Sequence, residues 1–223
     1  MTTEVPRPLD ITIVSDVICP WCFIGTRRLD QVLATMPDVD ARIQHRAFLL
    51  DPTVPPEGAD LRDRLRKKYG ADPEAMFVRI EQAARDTGIP LDFSNVRRTP
   101  NTIPAHTLLR HAAARGTQRQ LSDALFSAYF LHGQDISAPD VLAAIAEPLG
   151  FAPEETRRLV TDPAESTHTR TEANAASQAG VGGVPYFVFG SRVGLSGAQP
   201  VHAFRAAIAQ ALEQGGGSSI VSG

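Results

Sequence analysis

The amino-acid sequence predicts a mixed α/β fold, a four-stranded sheet with two flanking helices, interrupted by a large α-helical insertion. Three observations carry this. A run of β-branched and apolar residues, 9–15 (LDITIVS), leads through DVICPWC directly into a helical pattern. The stretch from about 51 to 170 has helix start and stop signals and little strand pattern. Strand character returns near the end, at Tyr186–Phe189, before a last amphipathic segment.

Residues 9–15 read as a buried strand. Phe23, Leu29, Val32, Leu33 and Met36 in the segment after it recur at helical spacing. Residues 41–50 (ARIQHRAFLL) alternate in part and read as a second strand, parallel to the first across a right-handed crossover. DPTVPPEG is a proline-rich turn, and helices are expected at 60–69, from Asp72–Pro73 to about Thr87, at 104–115 and at 118–131, with Gly116 and Gly133 as stops. Ser137 is expected to cap a helix over 138–149, with Asp140 completing a capping box. A short helix follows Pro153, and Asp162–Pro163 opens another that ends before Gly180. Leu108, Leu109, Leu121, Leu125 and Phe126 are spaced as helical core. Gly190–Ser191 suggests a tight hairpin between Tyr186–Phe189 and a strand at about Arg192–Leu195. The last helix runs from near Pro200 with Val201, Phe204, Ile208 and Leu212 on its apolar face. The order β-α-β, helices, β-β-α, with a CxxC at the first strand-to-helix turn, matches the thioredoxin plan. The expected division is a discontinuous thioredoxin-like domain at 9–51 and 171–213, a helical insertion at 52–170 and a flexible tail at 214–223.

The chain has 223 residues, 43% hydrophobic and 21% charged, with a net charge of −3. That length buries a sizeable core without structural disulfides. The absence of a basic excess argues against nucleic acid or an anionic membrane as partner. No segment approaches the roughly 18 uninterrupted apolar residues of a membrane span. The first twenty residues lack a basic start, an apolar run and a small-residue cleavage site, so a cytoplasmic chain is expected.

Two cysteines, Cys19 and Cys22, three apart, are the whole complement. In Cys19-Pro20-Trp21-Cys22, Pro20 suits the first helical position, which needs no N–H. Cys19 then stands at the N-cap, where first-turn N–H groups and the helix macrodipole favour a thiolate that accepts from them. Both sulfurs fall on one face within disulfide reach. This predicts attack or acceptance of attack at Cys19, the more exposed thiol, and resolution by the more buried Cys22. Zinc is a weak alternative, because one CxxC supplies only two ligands and the six histidines show no paired spacing. A haem attachment would need His after Cys22, where Phe23 stands. Gly182-Gly183-Val184-Pro185 precedes the strand at Tyr186. A cis bond there would expose the Val184 backbone to a substrate chain, although spacing alone leaves an ordinary trans proline as the simpler reading. His45 faces either core or solvent, and Arg28 reads as a surface charge.

SDVICPWCFIG, RRTPNTIPAH, LFSAYF, GQDIS, AGVGGVPYFVFG and LSGAQP together resemble the FrnE-type branch of the DsbA-like thiol oxidoreductases, over about residues 9–213. The resemblance implies a thioredoxin fold with a helical insertion. It implies that Pro185 is cis and faces Cys19 and Cys22, and that the protein catalyses cytoplasmic exchange with protein or small-molecule thiols and disulfides. No cofactor is obligatory, and glutathione is an optional co-substrate. Asn101 and His106 are expected to line the cleft over the CPWC site. The chain departs from the best-known dipeptide, Pro-His, in carrying Pro-Trp, so Trp21 supplies no imidazolium. The same superfamily holds kappa-class glutathione transferases and 2-hydroxychromene-2-carboxylate isomerases, which bind glutathione at places that would correspond here to Val184 and to Ser196–Gln199. A glutathione-dependent isomerase or transferase is therefore the competing enzyme, and a non-catalytic binding or chaperone module the other alternative. Paired thiols favour exchange.

Overall fold

The computed structural model describes residues 6–215. Strand β1 (Arg7–Ser15) leads to helix α1 (Pro20–Leu33) and strand β2 (Val39–Ala47). The middle of the chain contains β3 (Ala59–Asp60), α2 (Leu61–Tyr69), α3 (Glu74–Arg85), β4 (Arg98–Thr99), α4 (Ile103–Ala114), α5 (Gln118–Phe130), α6 (Pro139–Ala146), α7 (Pro153–Thr161) and α8 (Pro163–Gln178). Strands β5 (Tyr186–Phe189) and β6 (Val193–Ser196) and helix α9 (Val201–Gly215) complete it. The main sheet has the order β2-β1-β5-β6. β2 is parallel to β1, with Ile13 opposite His45. β5 is antiparallel to β1, with Ile13 opposite Phe187, and β6 is antiparallel to β5. This is the thioredoxin fold with a helical insertion.

Apolar burial divides between two clusters. One joins Ile11 and Ile13 of β1 to Leu29 of α1, Phe187 and Phe189 of β5, and Phe204 and Ile208 of α9. The other joins Cys19, Cys22 and Phe23 to the inserted helices through Phe77, Phe93, Phe126 and Phe130. Phe23 stacks on Phe126 at 5.2 Å between ring centroids. The first turn of α1 is therefore packed from both sides, one by the sheet and one by the insertion. Gly25 shows how closely. A Cβ built there would lie 3.1 Å from the Phe187 ring and 3.2 Å from Pro185.

Several local expectations are corrected. β3 pairs with β4 antiparallel inside the helical region, two residues each, too short to leave a sequence pattern. The helix expected over 138–149 is α6 followed by a 3-10 turn at Glu147–Leu149. Pro148 has no N–H to continue the α-helical ladder. Its N-cap is Ala138, without a side-chain cap, because Ser137 Oγ donates to Asp135 Oδ1 at 2.5 Å instead. The division expected between 170 and 171 falls inside α8, a continuous helix. The expected tail lies outside the described residues beyond Gly215, and 214–215 belong to α9. Among the described residues no helix is long and apolar enough to cross a membrane.

Candidate active site

The end of β1 and the start of α1 bring the two cysteines together. Cys19 is the N-cap of α1, in extended conformation (φ −88°, ψ 112°), with Pro20 opening the helix. Its N–H donates to the Asp16 carbonyl at 2.9 Å, closing the turn. Its carbonyl accepts from Cys22 N at 3.0 Å and from Phe23 N at 3.2 Å, the first bonds of the helix. Sequence reasoning placed a capping bond on the Cys19 sulfur. None is made: in this dithiol form Cys19 Sγ donates to the Val184 carbonyl, Sγ···O 3.7 Å. The Val184–Pro185 bond is cis. The loop is held in turn from β6, since Gly197 N donates to the Pro185 carbonyl at 2.8 Å. The CPWC turn and the Val184–Pro185 loop thus form one unit, tied through a sulfur.

Cys19 is 3% exposed and Cys22 0%. The order matches expectation, but Cys19 is far from open, because the insertion roofs the turn. It is reached through a cavity of about 300 Å³ whose wall it shares with Trp21 and Val184. Leu50, Leu61, Phe77, Ile80, Phe93 and Phe130 make that wall largely apolar, and Arg64 and Lys68 also line it. Trp21 is itself 38% exposed. Burial pushes the Cys22 thiol well above its ordinary range, and the hydrogen bond and charge of Cys19 push the same way. Cys22 is therefore protonated at rest. On the cavity wall, burial raises the Asp51 carboxyl, but its bonds from Arg64 and Thr53 outweigh this and hold it at about 2.

The other expected cleft residues lie elsewhere. Asn101 is buried, donating to the Val54 carbonyl at 2.9 Å and accepting from Ile103 N at 3.1 Å, so it ties the loop before α4. His106 is buried behind the cysteines, with Nε2 3.2 Å from Asp16 Oδ1. Neither lines the Cys19 cavity. Ser196 and Gln199 are exposed, and Gln199 Nε2 donates to the Ser196 carbonyl at 2.8 Å, which makes a local loop brace. Arg28, read as a surface charge, is half-buried. It donates to Thr87 Oγ1 at 3.1 Å and to the Ala198 carbonyl at 2.7 Å, joining α1 to the end of α3 and to the loop before α9. Sequence reasoning missed Asp16 and the apolar wall from Leu50, Leu61, Phe77 and Ile80. Asp16 left one signal, an acid in line with a buried strand immediately before the cysteine turn. The wall residues left none, because their helical spacing is that of any core.

Comparison with known proteins agrees with this geometry. A crystal structure of a probable DsbA oxidoreductase from Streptomyces coelicolor superposes with a TM-score of 0.84 at 31% identity, covering 96% of this chain and 93% of that one. A 2-hydroxychromene-2-carboxylate isomerase shares the fold at a TM-score of 0.67 and 18% identity, over 95% and 100% of the two chains. The cytosolic disulfide reductase DsbM from Pseudomonas aeruginosa, solved with GSH, does so at 0.60 and 17%, over 92% and 99%. Residues 10–209 match the DSBA-like thioredoxin domain family, and the chain belongs to that family.

Proposed function

We propose that the protein is a thiol–disulfide oxidoreductase in which Cys19 exchanges with the substrate and Cys22 resolves. The observation that carries this reading is the asymmetry of the pair. One sulfur lines a cavity and touches the Val184 backbone, while the other is sealed behind it. A substrate thiolate attacks the Cys19 sulfur of the oxidised protein, or the Cys19 thiolate attacks a substrate disulfide, and a mixed disulfide forms in either direction. Cys22 then displaces the substrate and closes the Cys19–Cys22 disulfide. The cavity's apolar wall suits a substrate that presents an apolar group next to its sulfur. Low-molecular-weight thiols fit its size, and glutathione is proposed as one co-substrate. A glutathione-dependent isomerase would use one thiol at most, which leaves Cys22 without a role. It would also draw on Ser196 and Gln199, which are not at the cavity.

The test is trapping. Cys22→Ser is expected to accumulate mixed disulfides on Cys19 in lysate or with oxidised glutathione, released by reductant, at least about tenfold above Cys19→Ser. Equal trapping by the two variants overturns the assignment of roles. No trapping by either removes the oxidoreductase reading.

A further inference from the structure

Resolution poses a problem that the site around Cys19 does not solve. Cys22 is fully buried and protonated, yet it must act as a thiolate. A base dissolved in bulk water cannot reach it. The buried ionisable side chains behind it are Asp16 and His106, with side chains 1% and 2% exposed. Asp16 is built into the turn that carries both cysteines. Its carbonyl accepts from Cys19 N, and its backbone hydrogen-bonds to Cys22. Its carboxylate is fixed by two partners, Leu50 N on Oδ2 at 2.9 Å and His106 Nε2 on Oδ1 at 3.2 Å. Neither partner is needed to close the fold at that position: a serine or asparagine could take both hydrogen bonds without bringing a charge into the interior.

His106 opens in the other direction. It lines a second cleft of about 280 Å³, which shares no wall residue with the Cys19 cavity and runs along Gln44–Ala47 of β2 towards α4 and α8. That cleft is polar. Two side-chain atoms of its wall residues, His45 Nε2 and Arg110 Nε, are buried without a protein partner, as expected of groups that face water.

Resting on the exchange reading above, we propose that Asp16 and His106 form a proton relay for Cys22, with the second cleft as its outlet to solvent. As Cys22 attacks the Cys19 sulfur of the mixed disulfide, its proton passes to the Asp16 carboxylate and on through His106 to water in the cleft. The Cys22–Cys19 bond forms, the bond from Cys19 to the substrate sulfur breaks, and the substrate leaves as a thiolate that takes its proton from solvent. In the reverse direction the same path returns a proton to Cys22 as it leaves the disulfide. Cys22 is the catalytic residue, and Asp16 and His106 act through it.

The experiment follows resolution alone. A mixed disulfide of Cys19 with a chromophoric thiol is formed by rapid mixing, and release of that thiol is timed in wild type, Asp16→Asn and His106→Gln from about pH 6 to 9. The charged and titratable groups facing the relay are Cys19 on α1, His45 and Arg46 on β2, Arg110 on α4, Tyr129 on α5 and Glu172 on α8. All are kept in both variants. Positioned proton transfer contributes roughly 10²–10⁴-fold, so Asp16→Asn is expected to slow release at neutral pH by about 100-fold and His106→Gln by about tenfold. The wild-type rate varies little with pH, because the base sits beside the thiol. In Asp16→Asn the rate climbs about tenfold per pH unit, as hydroxide becomes the acceptor. Formation of the mixed disulfide stays near wild type, which shows that the exchange reading holds while the relay is tested. Release at the wild-type rate in both variants overturns the relay, as does slower release with an unchanged pH profile. Should Asp16→Asn fail to fold, His106→Gln decides by the same two criteria. Failure of the wild type to form any mixed disulfide would instead remove the exchange reading itself.

Discussion

At the residue scale, the chemistry of the site was legible where a residue type is constrained by covalent geometry, and illegible where only position matters. Cys19, Pro20 and Cys22 could be placed because a helix start needs no N–H from its first residue and two sulfurs three apart must meet. His45 is the opposite case. Nothing in ARIQHRAF distinguishes a histidine facing core from one facing water, and in the fold it is buried beside β1 and α5. Burial lowers its basicity to about 4, and the charge of Arg119 and the proximity of His106 act in the same sense. The sign of the consequence follows. Above pH 6.5 the imidazole is neutral in both folded and unfolded chains and contributes no pH dependence. Between about 6.5 and 4 the unfolded chain binds a proton that the folded chain cannot, so stability falls as pH falls through that window. A shift from 6.5 to about 4 corresponds to a loss of about 3 kcal/mol. Urea unfolding of the wild type and His45→Gln at several pH values is expected to show this: the difference between them changes by about 3 kcal/mol from pH 7 to pH 4, with the variant the less acid-sensitive. Parallel stability curves for the two would place His45 in contact with solvent.

At the scale of elements, chain order was legible because periodicity changes sharply at each boundary, and ends were legible where Pro, Gly or Asp marks them. Asp162 caps α8 as its position suggests, accepting from Ala164 N at 2.8 Å. What could not be read is pairing across long separations. β2 is an edge strand of the main sheet, and edges must be covered. Gln118, from the first turn of α5, does this at one point. Its Oε1 accepts from His45 N at 2.9 Å and its Nε2 donates to the His45 carbonyl at 3.0 Å. A side-chain amide thereby repeats the bond pattern of a neighbouring strand, 73 residues away in sequence. Gln118→Ala leaves both backbone groups buried and unpaired, and each such group costs about 1–3 kcal/mol. A loss of about 2 kcal/mol or more in denaturant unfolding is expected, together with faster hydrogen exchange at the His45 amide than at Ile43. An unchanged midpoint would mean that water replaces the amide at the edge.

At the scale of the whole molecule, the insertion is as much a part of the redox site as the sheet that carries the cysteines. Sequence reasoning separated the two as domains. The buried contacts join them, since Cys19, Cys22 and Phe23 share one cluster with Phe126 and Phe130 of α5, and α8 runs unbroken across the expected boundary. The reason lies in α1, whose two faces are both apolar: Leu29 and Val32 go to the sheet-side cluster, Phe23 and Cys22 to the insertion side. A single helix that closes two cores makes their unfolding cooperative. Phe126→Ala tests this coupling from the far side of the seam. It removes the ring stacked at 5.2 Å on Phe23 and opens a cavity against the first turn of α1, at a cost of about 3–5 kcal/mol. The expected result is one unfolding transition at lower denaturant, seen together by helix content and by thiol accessibility. Alkylation of Cys22 in the folded, reduced protein should speed up with the loss of stability, while Cys19, reached through its own cavity, changes little. Two separate transitions, with Cys22 protected through the first, would show that the sheet holds the resolving thiol without help from the insertion.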